Sequence, residues 1–112
     1  MQKSEIQIKQ SVEGLVNYLK LEKYEITDCD FGYYVYEMEH ELDFPYLMLI
    51  DKNNKVIIVS QEEWPSNVLY FLFTLVKVAN YTVSFNWCDD RLERLSYEVE
   101  SNLEYFKNLY FD

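Results

Sequence analysis

Only two glycines and two prolines occur in 112 residues, and the glycines, Gly14 and Gly32, stand far apart. A phosphate-cradling loop or a dinucleotide fingerprint needs glycines in a cluster, so neither is present. Collagen-like and Pro-rich linker sequences are excluded on the same composition. The two cysteines, Cys29 and Cys88, form no CxxC pair and are too few to staple a small secreted scaffold. His40 is the sole imidazole, so any Ser-His or Cys-His mechanism has to use it. A zinc site of the usual nitrogen and sulfur type would have to borrow carboxylates. Lys and Arg number ten against twenty Asp and Glu, leaving a formal charge of −10. Phosphate binding needs clustered cations, and here they are scattered, so the expectation is no direct nucleic-acid partner. The same field opposes anionic membrane surfaces. No apolar run is long enough for a bilayer span, and no basic start precedes a signal-type apolar run. The sequence therefore reads as a cytoplasmic protein with reduced thiols.

What is abundant is apolar and aromatic character, at 49% and 18% of residues. Disorder needs low hydrophobicity, so a folded chain is expected despite the charge. The length suits a single domain over 1–112, burying roughly two-thirds of its unfolded surface. Ile8, Val12, Leu15, Val16 and Leu19 mark one face of an N-terminal helix over Ser4 to Leu21, with Ser4 and Gln7 as a capping box. Tyr24 to Thr27 reads as a short strand and Asp28 to Gly32 as a turn. Tyr33 to Met38 is aromatic and β-branched, as strands are. Tyr46 to Ile50 and Val56 to Val59 flank an Asn-Asn loop and predict a hairpin. Pro45 suits the start of a strand, and Pro65 the first turn of a helix. That helix, Val68 to Val78, is apolar nearly all round and should be buried on most sides, with Leu69, Leu72, Phe73 and Val76 in the core. Tyr81 to Trp87 alternates like a half-buried strand, and Asp89 or Asp90 can cap a helix beginning just after it. Leu92, Leu95, Val99, Leu103, Phe106 and Tyr110 predict that C-terminal helix. The alternation of Leu95, Tyr97 and Val99 leaves a strand across its first part as the alternative.

Few residues offer chemistry. Glu37, Glu39, Glu41 and Asp43 fall on one face of an extended chain, with His40 on the other. Hard cations favour carboxylate oxygens, but such a cluster is ordinarily a solvated connection between strands. Glu62-Glu63 and Asp89-Asp90 precede predicted helices, where they complement the positive end of the helix dipole. Asp28 and Asp30 flank Cys29, and Asp89 follows Cys88, which disfavours a thiolate nucleophile. The nucleophile-elbow pattern is absent. No catalytic residue, cofactor or metal is expected.

The tyrosines carry the functional expectation. With a period of two, Tyr33, Tyr34, Tyr36 and Tyr46 cannot all point inward. An outward tyrosine makes contact surface at little entropic cost. From residue 24 to 51 the chain has eight acids and no Lys or Arg. Tyr34, Tyr36, Glu37, Glu39, Glu41 and Asp43 are therefore the candidate partner-binding residues, for a protein with a basic surface.

Segregated strands and helices predict an α+β fold, an antiparallel sheet with helices on one face, in the order α-β-β-β-α-β-(β)-α. That order, with Ser66-Asn67-Val68-Leu69 opening the middle helix, resembles the YbjN and type III secretion chaperone-like group of small α+β proteins. The resemblance implies a non-catalytic adaptor, chaperone or immunity-type protein that binds other proteins. A chaperone-type binder exposes an apolar patch, often at a dimer interface, so a homodimer belongs to this expectation. The alternative is an inhibitor that mimics DNA and blocks a basic, nucleic-acid-binding protein. A small enzyme would need a pocket holding His40 or converging carboxylates.

Overall fold

The computed structural model describes residues 3–22, 24–37, 46–60 and 64–111, with side chains from residue 12 onward. Its elements are α1 (Lys3–Leu21), β1 (Tyr24–Cys29), β2 (Gly32–Glu37), β3 (Met48–Asp51), β4 (Val56–Val59), α2 (Ser66–Val78), β5 (Thr82–Phe85), α3 (Asp90–Ser101) and α4 (Leu103–Phe111). The fold is α+β, with one strand more before α2 than the expected order and no strand after β5. The five strands lie in sequence order. β1 to β4 form an antiparallel meander, whereas β5 runs parallel to β4. A parallel return needs a crossover of about a dozen residues or more. The helix α2, with 13 residues, supplies it.

Each turn explains its own neighbourhood. The expected turn over Asp28 to Gly32 shrinks to Asp30 and Phe31, because β1 continues to Cys29, opposite Gly32. Between β3 and β4 the Asp51 carboxylate accepts from the Asn54 backbone N–H and from Asn54 Nδ2, both at 2.9 Å. Lys55 closes that loop with φ 56°. Such local side-chain bonds are why Asx residues end strands.

Ladder parity sets the core. Val35, Met48, Ile50, Ile57 and Val59 share one face and are fully buried against α1 and α2. Val12, Leu15, Val16 and Leu19 of α1 meet them, as the helical spacing predicts. The capping-box side chains, Ser4 and Gln7, lie outside the described ones; the backbone is already helical at Lys3.

The middle helix begins at Ser66, with Pro65 as its extended cap residue rather than inside its first turn. The Pro65 carbonyl accepts from Val68 N–H at 3.1 Å and Leu69 N–H at 3.3 Å. Leu69 and Leu72 are fully buried as expected, but Phe73 and Val76 are only half-buried. Val68, Phe71, Thr74 and Leu75 take the remaining core positions. A helix apolar all round has no phase to read, so its neighbours decide which face is covered most deeply. Thr74 is tolerated at full burial because its Oγ1 donates to the Tyr70 carbonyl at 2.7 Å.

The strand alternative for the segment after Asp90 is overturned. Asp89 caps α3 by accepting from Leu92 N–H at 2.9 Å, and Leu92, Leu95 and Val99 face inward on helical spacing. Tyr97, which made the alternation look strand-like, is 70% exposed. The expected single C-terminal helix breaks at Asn102, whose φ of −132° is not helical. The two pieces pack on α2, with Phe106 stacked on Tyr70 at 4.8 Å and Phe111 against Phe71 at 5.2 Å.

Candidate functional site

The residues on the opposite sheet face include Glu25, Thr27, Tyr34, Tyr36, Leu49, Ile58 and Ser84, by the same register. None of them joins the core cluster beneath the helices. The parity argument thus separates the tyrosines. Tyr33 turns toward α1, where its hydroxyl donates to Glu13 Oε1 at 3.4 Å and Lys52 Nζ sits 5.0 Å from its ring centroid. Lys52 also pairs with Glu13 at 3.0 Å, and that bond raises the ammonium pKa above its ordinary value. Tyr34 and Tyr36 turn the other way.

On that outer face four rings form an array. Tyr34 is its centre, 5.9 Å from Phe31, 6.3 Å from Tyr36 and 5.4 Å from Tyr46. All four are half-buried, as are Leu49 and Ile58 beside them. Offset and tilted ring pairs at these separations are favourable and hold the side chains in place before any partner arrives. Cross-strand pairing does the positioning: Tyr34 stands opposite Thr27 on one side and Leu49 on the other. Phe31 reaches the array because the β1–β2 turn is only two residues long.

The acids distribute differently from the sequence expectation. Glu37 ends β2 opposite Tyr24, on the helix-facing parity, so it does not share a face with Tyr34 and Tyr36. The acid that does is Glu25, opposite Tyr36. Glu39, His40, Glu41 and Asp43 lie outside the described residues. Among the described residues no group of three or more His, Cys, Asp or Glu is placed to hold a metal ion. Asp28 and Asp30 edge a shallow cleft of about 300 Å³ with Cys29 and Lys52. Cys29 is half-buried, Cys88 is exposed, and neither is in a disulfide. Glu62 and Glu63 are not described, while Asp89 acts as a helix cap. Sequence reasoning missed Phe31, Leu49, Ile58 and Glu25 as members of this surface; the period-two register, once β1 is extended to Cys29, would have found the last three.

No family model, curated protein or solved structure matches this chain. Among the described residues no helix is long and apolar enough to cross a membrane.

Proposed function

We propose that this chain is a non-catalytic protein-binding module that docks a basic partner protein through the outer face of its sheet. The observation that carries the reading is the ring array of Phe31, Tyr34, Tyr36 and Tyr46, on a face that no described helix covers. Preordered aromatic side chains are the usual energetic centre of protein interfaces. The acidic stretch that lies between Tyr36 and Tyr46 in the sequence, with Glu37, Glu39, Glu41 and Asp43, would accelerate encounter with a cationic surface. An adaptor, chaperone or immunity-type role in the cytoplasm fits this behaviour, as does the resemblance to small α+β chaperone-like proteins.

The test begins with a partner recovered from the native host by affinity capture. Tyr34→Ser, with Tyr36→Ser, should weaken its binding by at least about tenfold through faster dissociation. Glu39→Lys with Glu41→Lys should instead slow association and flatten its dependence on salt. Unchanged rates in both double variants would overturn the reading. If the captured partner binds nucleic acid and this chain displaces it, the DNA-mimicking inhibitor is the correct form of the proposal.

A further inference from the structure

A second surface lies at the other end of the sheet. The strand β5 is the last in the sheet order and, among the described residues, has a strand partner, β4, on one side only. Its ladder is anchored by Thr82 N–H donating to the Lys55 carbonyl at 2.8 Å and Asn86 N–H donating to the Val59 carbonyl at 3.1 Å. Residues of a parallel strand bond to alternate sides, so Thr82, Ser84 and Asn86 are committed to β4. Val83 and Phe85 consequently turn their N–H and C=O groups to the open edge. Edges are ordinarily blunted by Lys, Pro, a bulge or a covering element. The strand sequence Thr-Val-Ser-Phe contains neither Lys nor Pro.

Beside this edge, under α3, runs an open groove of about 350 Å³. Its apolar surface comes from Phe73, Phe85, Leu92 and Tyr97, and its acids are Glu93 and Glu100. Among the described residues no Lys or Arg lines it. The groove thus joins three things an extended peptide needs: free backbone partners, an apolar seat for alternate side chains, and a charge preference.

We propose that the β5 edge and this groove accept an extended, basic segment of a partner protein by strand addition. The segment's backbone bonds to Val83 and Phe85, an apolar side chain rests on Phe73, Phe85 and Leu92, and a Lys or Arg meets Glu93 and Glu100. Charge selects this occupant over a second copy of the chain. Pairing two β5 edges would bring together two molecules of formal charge −10, each with its own Glu93 and Glu100. The surface is separate from the tyrosine array, so either proposal can fail alone.

The probe is a synthetic octapeptide of alternating Lys and Val, compared with the same peptide methylated at every backbone nitrogen. Both carry the same charge, but only the first can add to a sheet edge. Titration followed by backbone amide resonances and hydrogen exchange should slow exchange at Val83 and Phe85 with the unmethylated peptide. The methylated peptide should bind at least about tenfold more weakly. Glu93→Lys with Glu100→Lys, both exposed helix positions, should weaken the unmethylated peptide by a similar factor while the variant keeps a cooperative melting transition. If that double variant does not fold, the methylation comparison decides alone. Equal binding of the two peptides, no binding, or perturbation at Tyr34 and Tyr36 instead would overturn the proposal. So would protection of Val83 and Phe85 without peptide in a protein that sediments as a dimer, which would make the second copy the occupant.

Discussion

Gly32 shows how one residue fixes the geometry of the tyrosine surface. Its φ is +157°, and a Cβ built there would run into the Ile50 carbonyl. The close approach of β2 to β3 at this point sets the register that turns Tyr34 outward. Gly32→Ala should destabilise the fold by at least about 2 kcal/mol, measured by denaturant unfolding, because backbone strain and overpacking act together. Gly14 is the contrasting case: a Cβ there would meet only the Phe71 ring at an ordinary 3.9 Å. Tyr110 is the residue that ties stability to alkaline pH. Burial, assisted by the nearby phenols of Tyr105, Tyr70 and Tyr18, pushes its pKa from 10.0 up to about 12. The phenol therefore ionises more readily in the unfolded chain, and stability present below pH 10 is lost as pH rises toward 12. Tyr110→Phe should remove part of that loss. Melting temperatures of both proteins across this range should converge with rising pH, since the wild type falls more steeply. The comparison rests on slopes, because the variant also loses the 3.3 Å bond to the Asn67 carbonyl.

At the scale of elements, α2 is the helix on which the core depends, and its phase is testable. Leu72→Ala should cost about 2–5 kcal/mol, since Leu72 is fully buried and its truncation leaves a cavity in the core. Val76→Ala, half-buried, should cost clearly less in the same denaturant titration. The sequence alone ranked these two positions equally. Its apolar residues announced a buried helix, yet an all-round pattern carries no information about orientation. Where polar and apolar residues alternate, orientation was legible: Val35 went in, while Tyr34 and Tyr36 went out. The same period-two habit misled at Leu95, Tyr97 and Val99, where an exposed tyrosine imitated an inward strand position. The site was legible to the same degree. The tyrosine face followed from parity, and the same alternation puts Glu37 with Val35 on the helix-facing side. The pairing of Glu25 with Tyr36 depends instead on where the β1–β2 turn falls, and strand ends are set by pairing partners that lie elsewhere in the chain. The parallel placement of β5 had no local signal either, because it depends on the length and packing of α2.

The net charge acts on the molecule as a whole, and it should pull stability and binding in opposite directions. Twenty acids against ten basic side chains leave a formal charge of −10, compressed into a fold with a radius of gyration of 13.9 Å. Among the described side chains, the pairing of Lys52 with Glu13 offsets that repulsion directly. Folding brings like charges nearer than they are in the expanded chain, so screening should favour the native state. Raising monovalent salt from about 0.02 M to about 0.3 M shortens the Debye length from roughly 20 Å to roughly 6 Å, well inside the molecule's own dimensions. The melting temperature should therefore rise over that interval, with most of the gain at the low-salt end. Association with a basic partner should slow over the same interval, because the attraction that steers encounter is screened by the same ions. A melting temperature that falls with added salt would mean that favourable pairings outweigh the summed repulsion. In that event the acids would be engaged within the fold, and the long-range field on which partner recognition depends would be correspondingly weaker.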